Sequence, residues 1–73
     1  MYKESFPERL KKARLDAGYT QMQVSEELKI SKGTISKYET GKLEPDIEKL
    51  ATLANFYSIS VDWLLGLGMQ IKQ

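Results

Sequence analysis

The chain has 73 residues, 29% of them charged and 41% hydrophobic, with a formal net charge of +1 and neither Cys nor His. This length supports one domain, near the smallest that folds on a hydrophobic core alone, and the missing Cys and His exclude disulfides, zinc fingers and imidazole chemistry. No stretch approaches the roughly 18 apolar residues of a membrane span; the first ten residues include Lys3, Glu4, Glu8 and Arg9 and so hold no apolar signal-peptide core, making a soluble cytoplasmic protein the expectation.

Hydrophobic periodicity predicts helix along nearly the whole chain. Ser5-Phe6-Pro7-Glu8 has the form of a capping box, with Pro7 in the first turn where its missing N–H does no harm. The first helix carries Phe6, Leu10, Ala13 and Ala17 on one face and stops at Gly18. Thr20-Gln21-Met22-Gln23 opens a second helix, with Val24 and Leu28 on its inner face. Lys29-Ile30-Ser31 is a break too short to be a loop, and Ser31 caps a third helix that turns Ile35, Tyr38 and Glu39 inward and ends at Gly41. After a connector from Lys42 to Pro45, a fourth helix starts at Asp46 with Ile47, Leu50, Ala51, Ala54 and Tyr57 as its apolar stripe. Ser60 caps a fifth, which holds Val61, Trp63, Leu64 and Leu65 and ends at Gly66. The expected architecture is all-α: a compact five-helix bundle, with residues 1–66 as one domain and 67–73 as a C-terminal tail.

The small net charge conceals a polarity. From Lys29 to Lys42 stand four lysines (Lys29, Lys32, Lys37, Lys42) against Glu39, a net +3, whereas Leu43 to Gln73 has four acids against two lysines, a net −2. A basic middle of this kind favours a polyanion at one face, although charge imbalance is also common on surfaces that bind nothing.

Two short helices joined by three or four residues, the second with small polar and basic side chains outward, describe a helix-turn-helix. Ser25 is small where the first helix must approach the second, and Val24, Leu28 and Ile35 form the apolar hinge between them. Lys32, Gly33, Ser36 and Lys37 are left facing outward, as a DNA groove requires, although the same spacing also suits an ordinary helical hairpin. Arg14 continues the inward row of Phe6 and Leu10, and Glu39 lies one turn after Ile35 on an inward face. Two opposite charges facing the core are tolerable only if they meet, because an unpaired buried charge is strongly destabilising.

The Thr20-Gln21 opening, Ser31-x-x-Thr34-Ile35-Ser36, Tyr38-Glu39-Thr40-Gly41-Lys42 with Pro45 beyond, Leu50, Leu53-Ala54, and the run from Ile59 to Gly66 together resemble the phage-repressor/Cro/Xre family of helix-turn-helix regulators. The resemblance extends from about Leu10 to Gly66. It implies a lambda-repressor-like fold and sequence-specific binding of double-stranded DNA, with no cofactor or metal.

By that resemblance Gln21 binds a DNA phosphate and steadies the recognition helix, a role that helix-start N–H groups also favour; otherwise it is a solvated first-turn residue. The base-reading positions fall on Ser31, Lys32, Gly33, Ser36 and Lys37, each lysine being open to a guanine edge or to a phosphate. Thr40 and Lys42 match positions that grip the DNA backbone, and the Arg14–Glu39 pair has a counterpart read as structural, not catalytic. The family commonly has glycine where this chain has Lys29 and Ser58; a left-handed backbone at such a residue costs about 1 kcal/mol.

Phe56, Trp63, Leu67, Met69 and Ile71 exceed what a small helical core obviously needs. Burial within the monomer is one account. The resemblance implies the other, a homodimer through Trp63, Leu67, Met69 and Ile71 whose recognition helices lie about 34 Å apart, one turn of DNA. The expected function is a transcriptional repressor on an inverted-repeat operator. The alternative is a protein-interaction module, of antitoxin or anti-repressor type, whose mark would be an uncharged groove face. An enzyme is not expected, since no nucleophile–base arrangement, metal-ligand cluster or glycine-rich phosphate loop is present.

Overall fold

The computed structural model describes residues 5–66, for Ser5 the backbone alone. The expected Ser5 cap, and Leu67, Met69 and Ile71 of the tail, lie outside the described residues. Those described form five α-helices and no strand: α1 (Ser5–Asp16), α2 (Gln21–Leu28), α3 (Lys32–Thr40), α4 (Ile47–Tyr57) and α5 (Val61–Leu64).

Four of the helices are started by a side chain that satisfies an orphan N–H of the first turn. Thr20 and Gln23 make a reciprocal capping box, with Gln23 N–H donating to Thr20 Oγ1 (3.0 Å) and Thr20 N–H to Gln23 Oε1 (2.8 Å). Ser31 Oγ accepts from Thr34 N–H (3.1 Å), Asp46 Oδ1 from Lys49 N–H (2.8 Å) and Ser60 Oγ from Trp63 N–H (3.0 Å). Each of the five helices is followed within two residues by a backbone in the left-handed region, at Gly18, Lys29, Gly41, Ser58 and Gly66. The first four corners turn the chain out of one helix and into the next across connectors of three to six residues, so short helices fold back on one another instead of extending.

The core draws on every helix: Phe6, Leu10 and Ala13 from α1, Val24 from α2, Ile35 and Tyr38 from α3, Leu53, Ala54 and Tyr57 from α4, and Leu64 from α5, with Ile30 of the α2–α3 turn. α3 packs against α1 and α2, while α5 packs against α1 and α4, so α1 lies between the two halves of the bundle.

Two apolar rows differ from those expected. α1 ends at Asp16, which leaves Ala17 beyond the helix and exposed. In α4 the buried stripe is Leu53, Ala54 and Tyr57, with Leu50 partly buried, whereas Ile47 is 85% exposed and Ala51 is exposed too. At about 100° per residue, positions 50, 53, 54 and 57 share one face, and 47 and 51 fall about 70° and 110° from its centre.

Candidate nucleic-acid interface

α3 is fixed at both ends. Before it, Ile30 is buried in the turn and Ser31 caps the first N–H groups, its hydroxyl also donating to Thr34 Oγ1 (2.8 Å). After it, Gly41 turns at φ 80°, and the N–H of Lys42 donates to Lys37 O (2.9 Å). A Cβ on Gly41 would stand 3.4 Å from Pro7 Cγ, so the corner also seats against the start of α1.

Between these ends the helix is divided by face. Ile35, Tyr38 and Glu39 are buried. Lys32, Gly33, Lys37 and Thr40 are exposed, and Ser36 is half-buried at the flank. Nothing lies within 4 Å of the position a Cβ would take on Gly33, so the outer surface there is open backbone. The Thr40 hydroxyl donates to Lys37 O at 3.3 Å. Lys29, Lys37 and Lys42 flank the helix start and end with Lys32, all four exposed.

The one acid of this segment has been removed from the surface. Glu39 is 7% exposed and meets Arg14, also 7% exposed, in a two-pronged contact: Nε donates to Oε2 (2.9 Å) and Nη2 to Oε1 (3.1 Å). Arg14 Nη1 donates to the carbonyl of Tyr19 (2.9 Å), and Gln21 Nε2 donates to Glu39 Oε1 (3.1 Å). Guanidinium and carboxylate are thus hydrogen-bonded as well as paired, which is the condition for burying charge at all. The net +3 of the segment is expressed outside as four lysines with the glutamate withdrawn.

The Gln21 contact is a feature that sequence reasoning missed. Gln21 is half-buried and spends one amide proton on Glu39, so the first residue of α2 is tied to the last turn of α3. Tyr57 is a second. Its hydroxyl is buried without a hydrogen-bond partner among the described residues, and its pKa is pushed up to about 12, first by burial and then by the negative charge of Glu39, with Arg14 opposing. Its place in an apolar stripe gave no sign of either.

Phe56 and Trp63, expected as surplus apolar groups, both have partners inside the chain. Phe56 stacks between Tyr19 (ring centroids 5.0 Å apart) and Tyr57 (5.2 Å). Half-buried Trp63 has the Arg9 guanidinium carbon 5.1 Å from its ring centre, a cation–π arrangement. No described helix is long and apolar enough to cross a membrane.

Residues 10–64 match the helix-turn-helix family, and this segment contains every helix but the first turn of α1. The chain belongs to the Cro/Xre-type helix-turn-helix family. Within that family it is 45% identical over 62 residues to the HTH-type transcriptional regulator ImmR of Bacillus subtilis, an overlap covering 85% of this chain and 49% of ImmR. It is 39% identical over 59 residues to the cryptic phage CTXphi transcriptional repressor RstR of Vibrio cholerae, covering 81% of this chain and 53% of RstR. The HTH-type transcriptional activator BcrR of Enterococcus faecalis is 40% identical over 60 residues, 82% of this chain and 29% of BcrR. The chain therefore spans about half the length, or less, of these relatives. Where the family resemblance leads one to expect glycine, Lys29 (φ 59°) and Ser58 (φ 58°) adopt the left-handed backbone that glycine would otherwise supply.

Proposed function

We propose that the chain is a sequence-specific double-stranded DNA-binding transcriptional regulator that seats α3 in the major groove. The observation that carries this reading is the set of four exposed lysines around α3, where the one acid between Lys29 and Lys42, Glu39, is buried against Arg14. In this reading Lys32, Gly33, Ser36 and Lys37 face the base edges, with Ser31 at the capped end, and Gln21, Thr40 and Lys42 meet phosphates. Lysine can donate to guanine O6 and N7, and an open glycine permits close approach to a thymine methyl. The Arg14–Glu39 pair is structural and holds α3 at its angle to α1.

Repression is the mode we infer, because occupancy of a promoter suffices for it, whereas activation needs a further polymerase contact. The operator is an inverted repeat bound by a homodimer, with Trp63, Leu67, Met69 and Ile71 at the interface, acting on DNA in the cytoplasm. Selection of bound sites from random duplex DNA tests the whole reading. The expected product is an inverted repeat with half-site centres about 10 bp apart. Failure to enrich any sequence, together with salt-independent binding, would favour a protein-interaction module instead. Sedimentation at micromolar concentration checks the dimer, which a strict monomer both free and on DNA would refute.

A further inference from the structure

We propose that Lys29, in the corner between α2 and α3, is an additional phosphate contact of the DNA-binding face, retained there against a backbone preference for glycine. The proposal rests on the DNA-binding reading above. Lys29 has φ 59° and ψ 36°, a conformation in which an L side chain crowds its own carbonyl and glycine does not. The backbone cannot relax out of it: Lys29 N–H donates to Ser25 O (2.9 Å) to close α2, the next residue, Ile30, is buried in the core, and the one after, Ser31, caps α3. The side chain is exposed, and no ion pair joins it to a described residue. It therefore contributes nothing visible to the fold in return for the strain. A charged side chain kept in a strained, fixed and exposed position three residues before Lys32 points to an interaction outside the chain, and the neighbouring lysines make the partner an anion.

Ser58 supplies the internal control. It closes α4 with nearly the same backbone, φ 58° and ψ 43°, but it is uncharged and stands outside the basic segment. Lys29→Gly and Ser58→Gly relieve the same strain, so both should raise the thermal midpoint of the full chain. Only Lys29→Gly should change DNA binding.

The experiment measures duplex affinity for wild type, Lys29→Gly, Lys29→Arg and Ser58→Gly over a series of salt concentrations, with the selected operator or a random-sequence duplex as probe. One lost phosphate contact lowers the slope of log affinity against log salt by about 0.9, so from about 50 to 200 mM salt the Lys29→Gly complex should weaken about 3.5-fold less than wild type. Lys29→Arg should keep the wild-type slope, and so should Ser58→Gly. Equal slopes for Lys29→Gly and Ser58→Gly overturn this proposal alone. A wild-type chain whose duplex binding does not depend on salt overturns it together with the DNA-binding reading.

Discussion

Replacing Arg14 by methionine tests what holds the recognition helix in place. The substitution keeps an unbranched apolar stem of similar reach but deletes the guanidinium, and with it two hydrogen bonds to Glu39 and one to the Tyr19 carbonyl. The Glu39 side chain, 2% exposed, would keep only the Gln21 amide as a partner. Removing one member of a buried pair costs about 3–5 kcal/mol, because the other charge is left uncompensated. At about 0.05–0.15 kcal/mol per residue the intact chain has roughly 4–11 kcal/mol in total, so the variant should lose from about a quarter to all of it. With a urea slope of about 1 kcal/mol/M for a domain this small, the midpoint should fall by about 3 M or more. Far-ultraviolet circular dichroism and Trp63 fluorescence both report the transition. Glu39→Leu added to Arg14→Met should recover most of the loss, since replacing both charges by apolar groups is often neutral. A single variant costing less than about 1 kcal/mol, or a double variant no better than the single, would refute an uncompensated Glu39 as the cause.

Other perturbations separate the fold from the interface. Gly33→Ala adds a Cβ into open space on α3 and should stabilise the fold by up to about 1 kcal/mol while weakening operator binding; a more stable variant with unchanged affinity would take Gly33 out of the contact surface. Lys42→Ala should weaken binding to all sequences alike and lower the salt slope by about one, whereas Lys32→Ala should relax preference at one base pair by about 1–3 kcal/mol, as repeated site selection would show. Tyr57 has its pKa raised from 10.0 to about 12 in the folded chain, so its contribution is present below pH 10 and is lost as pH rises through 12. Tyr57→Phe should flatten that alkaline decline, and near neutral pH it should cost little, because the deleted hydroxyl has no partner among the described residues. Ile47→Ala, at an 85% exposed position, should change stability by no more than about 0.5 kcal/mol, whereas Leu53→Ala, at a 1% exposed one, should cost about 2–5 kcal/mol by urea titration.

What was legible in the sequence was what depends on a few neighbouring residues. The caps at Thr20, Ser31 and Ser60 are contacts within four residues, and the residue types alone announce them, whereas Asp46, expected as the first residue of α4, is its cap. The meeting of Arg14 with Glu39, twenty-five residues apart, was also foreseeable, because each occupied a core position that no lone charge could hold. The expected α4 stripe differs from the observed one: Ile47 and Ala51 satisfy the apolar pattern but lie off the centre of the buried face, which Leu53 occupies instead. Periodicity fixes a stripe only to within a residue's rotation, and at the end of a helix there is no further turn to correct the error.

The Gln21–Glu39 hydrogen bond was not legible, because it depends on the crossing of α2 and α3, which brings the Gln21 amide to the Oε1 that also accepts from Arg14 Nη2. That bond alters how the face around α3 is understood. Arg14 of α1 and Gln21 of α2 converge on one carboxylate of α3, so the angle at which the lysines are presented is set by both scaffold helices together. The same burial withdraws the segment's only acid from the surface, so one glutamate serves orientation and electrostatics at once. Of the outward positions, however, Gly33 has no side chain and Ser36 is small and half-buried, which leaves Lys32 and Lys37 as the long side chains able to read bases. Two lysines can specify only part of an operator. On the proposed reading, the remaining discrimination must come from the shape and deformability of the DNA between half-sites and from the spacing that a dimer imposes.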